Sequence, residues 1–215
     1  MEAHHANHPL FARCYAWLAP RMDAGGFGEH REALLADLAG AVVEVGAGTG
    51  LNFAHYPPGV TRVLAVEPEP HLRAVAAAAA RDAPVPVTVA AGWADALPAP
   101  GAAFDAAVTS LVLCSVPDQS QALAEIRRVL RPGGELRFLE HVRAGSPGLR
   151  RTQRLLDATV WPRVAGGCHL GRDTEAAIAG AGFAIRRVER FRFPDAGIAL
   201  PPSPHIRGVA AAPAG

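Results

Sequence analysis

The run Val42-Val43-Glu44-Val45-Gly46-Ala47-Gly48-Thr49-Gly50 carries more structural information than any other part of the chain. An apolar, largely β-branched segment enters an acid and then alternating glycines. A buried parallel strand ends this way when a tight turn must let a ligand approach the backbone. Glycine supplies unusual φ values there and brings no Cβ into the ligand's space. Twenty-one positions after Gly46, a second apolar run, Val63 to Val66, ends in Glu67. That is the distance at which the second strand of a βαβ unit offers a carboxylate to ribose hydroxyls.

The glycine spacing separates two ligand classes. A dinucleotide turn, G-x-G-x-x-G, would need its third glycine at position 51, which is Leu51, whereas the chain has Gly50. The pattern E-x-G-x-G-x-G instead resembles the first motif of class I S-adenosylmethionine (SAM) methyltransferases. That resemblance implies SAM as cofactor and S-adenosylhomocysteine as product.

A chain of 215 residues with 50% hydrophobic and 19% charged residues suits one α/β domain. Net charge is +1 and every Lys/Arg position is Arg. No sustained basic stripe exists, so a duplex nucleic acid partner is not expected. Cys14, Cys114 and Cys168 show no pairing pattern, which points to reduced thiols and a cytoplasmic protein. No stretch of about 18 apolar residues predicts a membrane span, and no secretory signal is read at the start. His4, His5 and His8 read as a polar terminus rather than a metal tract.

The pattern predicts a helix over 10–22, broken near Pro20, and another over 30–38 that stops at Gly40. These N-terminal cap helices (residues 1–40) either only cover the sheet or line a substrate entrance with Phe11, Tyr15 and Trp17. Residues 41–215 form the expected catalytic core. Strands are expected over 42–45, 63–66, 85–91, 104–114 and 135–142. Helices follow the glycine turn (50–55), then span 69–82 and 118–130. A loop and helical segment occupies 147–164 and a helix 172–181. Strands over 183–191 and 205–211 close the chain. The alternation predicts a doubly wound, seven-stranded, mostly parallel sheet with an antiparallel last strand.

Ligand contacts in such a sheet lie at the carboxyl ends of the strands. After strand three stands Gly92-Trp93-Ala94-Asp95-Ala96-Leu97-Pro98. Many class I methyltransferases carry a G-D-A-E-x-L-P-like run here, its Asp on the adenine amino group. This chain has Trp93 at that position, so stacking by Trp93 and a bond from the Ala94 N–H are expected, with Asp95 a solvated loop acid. The resemblance further implies cofactor contacts from Glu44, Gly46, Ala47, Gly48, Gly50 and Asn52. Glu67, Pro68 and Gly92 contribute from the next two strand ends, and Leu111 from the fourth. Arg131-Pro132-Gly133-Gly134 is the turn such enzymes use before strand five.

The runs His55-Tyr56-Pro57-Pro58-Gly59, Leu111-Val112-Leu113-Cys114-Ser115-Val116, Leu139-Glu140-His141-Val142 and Gly167-Cys168-His169-Leu170, with Pro204-His205-Ile206, resemble the methyltransferase-like seven family. Its mammalian members are membrane-associated alkyl-thiol methyltransferases that begin with a hydrophobic anchor, a feature not read in this chain. The resemblance implies a small hydrophobic acceptor, with a thiol favoured. A quinone or phenol ring, a lipid amine, and SAM binding without transfer stand as alternatives.

A thiol with pKa near roughly 8.5 needs little help from a base, since a few per cent is thiolate at neutral pH. His141, Asp157 and His169 are the candidate acceptor-side groups. Cys114 reads as a small buried apolar residue. Cys114, His141, Cys168 and His169 lack the compact spacing of a metal site, so no metal is expected.

Overall fold

The computed structural model describes residues 9–214; His4, His5 and His8 lie outside the described residues. Seven strands form one sheet: β1 (Gly40–Val45), β2 (Val60–Val66), β3 (Val87–Ala90), β4 (Phe104–Ser110), β5 (Leu130–His141), β6 (Ala184–Arg192) and β7 (Pro204–Ala211). Their order is β3-β2-β1-β4-β5-β7-β6. The strands from β3 to β5 run parallel, whereas β7 pairs antiparallel with both β5 and β6. The order reverses between β1 and β4, which opens a crevice at their carboxyl ends.

Strand periodicity sorts the core into two layers. Val43, Val45, Ala107, Leu136 and Phe138 pack on one face with Leu123 and Ile126 of α4 (Gln119–Val129) and Ile178 of α7 (Thr174–Gly180). Val42, Ala106, Val108 and Leu139 point to the other face, with Phe27 and with Leu34 and Leu35 of α2 (Gly28–Leu35). Glu44 shares the parity of Val42 and is therefore driven into this second layer, 2% exposed.

Local chemistry sets the helix starts. Glu69 caps α3 (Pro70–Ala79) by accepting from the Leu72 N–H at 2.7 Å, with Pro70 in the first turn. Asp118 caps α4 through the N–H groups of Ser120 and Gln121. The segment 147–164 divides into α5 (Pro147–Ala158) and α6 (Trp161–Val164).

Some boundaries differ from expectation. Helix α1 (Pro9–Met22) runs through Pro20, and the regular path breaks at Gly26, whose φ of 109° is open to glycine. Strand β4 ends at Ser110 rather than 114, because Leu111 adopts φ 61° and the chain leaves the sheet. The second helix ends three residues early, with Asp37 at φ 63°. Among the described residues, no helix is long and apolar enough to cross a membrane.

Candidate functional site

The turn after β1 holds Gly46, Gly48 and Gly50 at φ 68°, 56° and 83°. A Cβ on Gly46 would lie 2.6 Å from Val112, and one on Gly50 would lie 2.6 Å from Phe53. Those glycines are required by packing. A Cβ on Gly48 would meet nothing nearer than the Tyr15 ring at 3.4 Å, so the backbone at Gly48 lies in reach of a ligand directly beneath the Tyr15 ring of α1. Phe11 stacks on Tyr15 with ring centroids 5.6 Å apart, while Trp17 turns outward beneath Arg21. Of the aromatic residues considered for an entrance, Tyr15 and Phe11 therefore face inward and Trp17 does not.

Glu67 ends β2 directly below this turn. Its Oε2 accepts the Gly48 N–H at 2.8 Å and its Oε1 accepts the Glu69 N–H at 2.9 Å. Burial raises its pKa and the backbone bonds oppose that shift. Each oxygen keeps a second lone pair for a ribose hydroxyl. The neighbouring Pro68 carbonyl accepts from Arg73 at 2.8 Å.

Glu44 and Asn52 lie under the turn and bond each other. Glu44 accepts from Asn52 at 2.9 Å and from the Tyr56 hydroxyl at 2.6 Å, and burial pushes its pKa up to about 7. Arg31 completes the network: it donates to Asn52 Oδ1 at 3.0 Å and Ser110 Oγ at 2.9 Å, and pairs with Asp23. Sequence reasoning missed Arg31, whose partners are 21 and 79 residues away.

On the third strand end, the Ala96 N–H bonds the Trp93 carbonyl at 3.1 Å, closing a small loop. The Trp93 and Ala94 side chains are half-buried and Asp95 is exposed. A Cβ on Gly92 would lie 2.8 Å from both Pro98 and Val66, so this glycine is a packing requirement as well. Leu111 is half-buried, its N–H bonded to the Leu139 carbonyl at 2.7 Å. Ala47 is buried within the turn, and beside it Thr49 Oγ1 is buried without a partner. The glycine cradle beneath Tyr15, this unpartnered hydroxyl and the spare acceptor capacity of Glu67 fit the amino-acid and ribose portions of SAM.

Of the residues expected on the acceptor side, His141 stands at the end of β5 and meets Cys114, from the loop after β4, and Cys168. His141 Nδ1 lies 3.7 Å from Cys114 Sγ and 3.6 Å from Cys168 Sγ. Sequence spacing argued against a ligand set here, but the fold brings these three ligand atoms within 4.8 Å of one another. His169 stands apart: its ring bonds the Gly167 carbonyl at 2.8 Å, and its N–H bonds the Cys114 carbonyl at 2.8 Å. Asp157 is also committed elsewhere, accepting the N–H groups of Leu170 at 2.7 Å and Gly171 at 2.8 Å.

Glu140, fully buried, accepts from the N–H groups of Val112 and Cys114, each at 3.2 Å. It pins the loop that carries Cys114, as Asp157 pins the segment after Cys168. The neighbouring Cys114 thiol lowers the Cys168 pKa, helped by His141, while the neighbouring Cys168 and burial raise that of Cys114. Leu170, Leu156, Trp161 and Ala165 pack around the sulfurs.

The sheet order, the glycine turn and the acid ending β2 define a class I SAM-dependent methyltransferase. The family described as "Methyltransferase domain" matches residues 43–138. A SAM-dependent methyltransferase structure from Thermotoga maritima superposes with a TM-score of 0.69 at 21% identity, covering 94% of this chain and 98% of that one. The human thiol S-methyltransferase TMT1B is 36% identical over 173 residues, 79% of this chain and 70% of the relative. Human TMT1A is 35% identical over 174 residues, with the same coverage. The chain belongs to the thiol S-methyltransferase family of TMT1A and TMT1B.

Proposed function

We propose that this enzyme transfers the SAM methyl group to the sulfur of a small, hydrophobic thiol. Bound SAM supplies an electrophilic methyl on a sulfonium. The chain has to hold an acceptor sulfur in line with it and exclude water. In this reading Gly46, Ala47, Gly48 and Gly50 shape the turn, Glu67 takes the ribose, and Trp93 with the Ala94 N–H takes the adenine. Glu44 and Asn52 act from below, holding the turn in shape through Arg31 and Tyr56.

The observation that carries the acceptor assignment is the commitment of both nearby carboxylates. Glu140 and Asp157 each hold two main-chain N–H groups, and taking a proton from an alcohol, phenol or amine would weaken the charge-assisted bonds that fix those loops. What faces the pocket is sulfur, imidazole and apolar side chains. That environment suits an acceptor whose own acidity provides the nucleophile. His141 serves at the acceptor end through the nitrogen that faces the sulfurs. Asp157 and His169 are positioning residues in this reading, because they bond backbone.

The similarity to the human thiol S-methyltransferases supports the same acceptor class. We place the enzyme in the cytoplasm as one domain, residues 1–40 covering a catalytic core of 41–215. The unpaired Cys14, Cys114 and Cys168 support a reducing compartment. The near-neutral charge supports a small-molecule rather than a nucleic acid acceptor. Incubation with methyl-labelled SAM and a panel of alkyl thiols, alcohols, phenols and amines tests the assignment. Label should appear in the thiols; label confined to oxygen or nitrogen acceptors would overturn it.

A further inference from the structure

We propose that Cys114, His141 and Cys168 form a three-coordinate site for a zinc ion whose fourth position takes the sulfur of the acceptor thiol. This deepens the thiol reading and rests on it.

The first support is geometric. A tetrahedral zinc with a sulfur at about 2.3 Å and a nitrogen at about 2.1 Å sets those two ligand atoms about 3.6 Å apart. His141 Nδ1 lies 3.6 Å from Cys168 Sγ and 3.7 Å from Cys114 Sγ. Both sulfurs thus stand at the edge length of one tetrahedron that shares the nitrogen corner. A single Nδ1 lone pair accepts one S–H, whereas two sulfurs stand at matched distances from it, and all three ligand atoms lie within 4.8 Å of one another.

The second support is the ligand chemistry. Two thiolates and an imidazole are a soft, borderline donor set that suits zinc and disfavours magnesium or calcium. Structural zinc sites are closed by four protein ligands, whereas three leave a position for water or substrate. His169, adjacent in sequence to Cys168, is turned onto the Gly167 carbonyl and does not close the site.

The third support is the frame. Two of the three ligands are carried on backbone that a buried or half-buried acid fixes: Glu140 holds the Cys114 N–H, and Asp157 holds the Leu170 and Gly171 N–H groups just after Cys168. Arg172 donates to the Leu113 carbonyl at 2.7 Å, beside Cys114, and brings a cation to a site that would collect thiolate charge. The position in the fold also fits. Val112, two residues before Cys114, packs on Gly46, so the cluster opens at the same sheet end as the glycine turn. On coordination the acceptor R–SH would release its proton to solvent. Its sulfur lone pair would then form the new S–C bond as the sulfonium C–S bond breaks, leaving S-adenosylhomocysteine and a neutral thioether. A thioether is a poorer ligand than a thiolate, which favours product release.

The test uses the full chain, purified without chelator and dialysed against buffer containing limiting zinc. Elemental analysis should find about one zinc per chain. Cys168→Ser and His141→Ala should each weaken zinc binding by more than the roughly 10–100-fold that loss of an outer-shell partner costs. Cys14→Ser, which alters an exposed thiol outside the cluster, should leave stoichiometry unchanged. If His141→Ala does not fold, His141→Gln with circular dichroism as the folding check takes its place. Cobalt substitution gives a readout independent of turnover: adding an alkyl thiol without SAM should shift the cobalt absorption bands. Wild-type protein that methylates thiols yet holds no zinc overturns the inference and leaves the thiol reading intact. Stoichiometric zinc lost equally in Cys14→Ser, or cobalt bands unmoved by thiol, overturns it too. Zinc bound with no thiol methylated in any condition counts against the thiol reading instead.

Discussion

Replacing Glu44 by glutamine should change the pH dependence of stability in a way that burial dictates. The carboxyl is 2% exposed beneath the glycine turn, and burial raises its pKa from 4.5 to about 7. Above pH 7 the folded protein must hold a charge that the unfolded chain would solvate. Below pH 4.5 the group is neutral in both states and costs nothing. Between those limits the folded state binds more protons than the unfolded state, so stability falls as pH rises. A shift from 4.5 to about 7 corresponds to about 3 kcal/mol, at about 1.4 kcal/mol per unit. Glutamine does not titrate, so the difference in unfolding free energy between wild type and Glu44→Gln isolates this group. Wild type should lose about 3 kcal/mol relative to Glu44→Gln between pH 4.5 and pH 7.5. Urea unfolding followed by tryptophan fluorescence at each pH measures it. A difference that stays constant across that range would refute the reasoning, and would mean that Arg31 and the Tyr56 hydroxyl keep Glu44 ionised.

Further outcomes follow from the same contacts. Gly48→Ala should fold, since its Cβ meets only Tyr15 at 3.4 Å, yet lose SAM affinity in calorimetry because the methyl group enters the cradle. The left-handed backbone at 56° should add about 1–2 kcal/mol of strain, read as a lowered melting temperature. Trp93→Ala should weaken SAM binding and Asp95→Ala should leave it nearly unchanged; the reverse order would move the adenine contact to Asp95. Asp157→Ala removes charged acceptors from the Leu170 and Gly171 N–H groups. It should cost about 1.5–3 kcal/mol in urea unfolding, the range for bonds to a charged group.

Much of the sheet was legible because strand and turn signals are local. Val42 through Gly50 states both the end of a strand and the bend after it, and Phe138 and Leu139 fall in opposite core layers as period two requires. Pro20 misled, because a proline near the end of a helix need not stop it, and the glycine at 26 sets the break instead. Leu111 could not be read as left-handed, since an apolar residue following a strand ordinarily continues it. The thiol cluster was least legible. Its cysteines lie 27 residues to either side of His141, and they meet because β4, β5 and the segment after α6 converge at one sheet end. Arg31 was hidden for the same reason, its partners being supplied by the turn after β1 and by β4. Asp157 and His169 looked available for chemistry until their backbone partners were known.

The central claim is that sulfur receives the methyl group. Initial rates of label transfer from SAM to an alkyl thiol, measured beside the matched alcohol, phenol and amine, test it most directly. The account predicts transfer to the thiol and little to the other three. Faster transfer to an oxygen or nitrogen acceptor than to the thiol would contradict it.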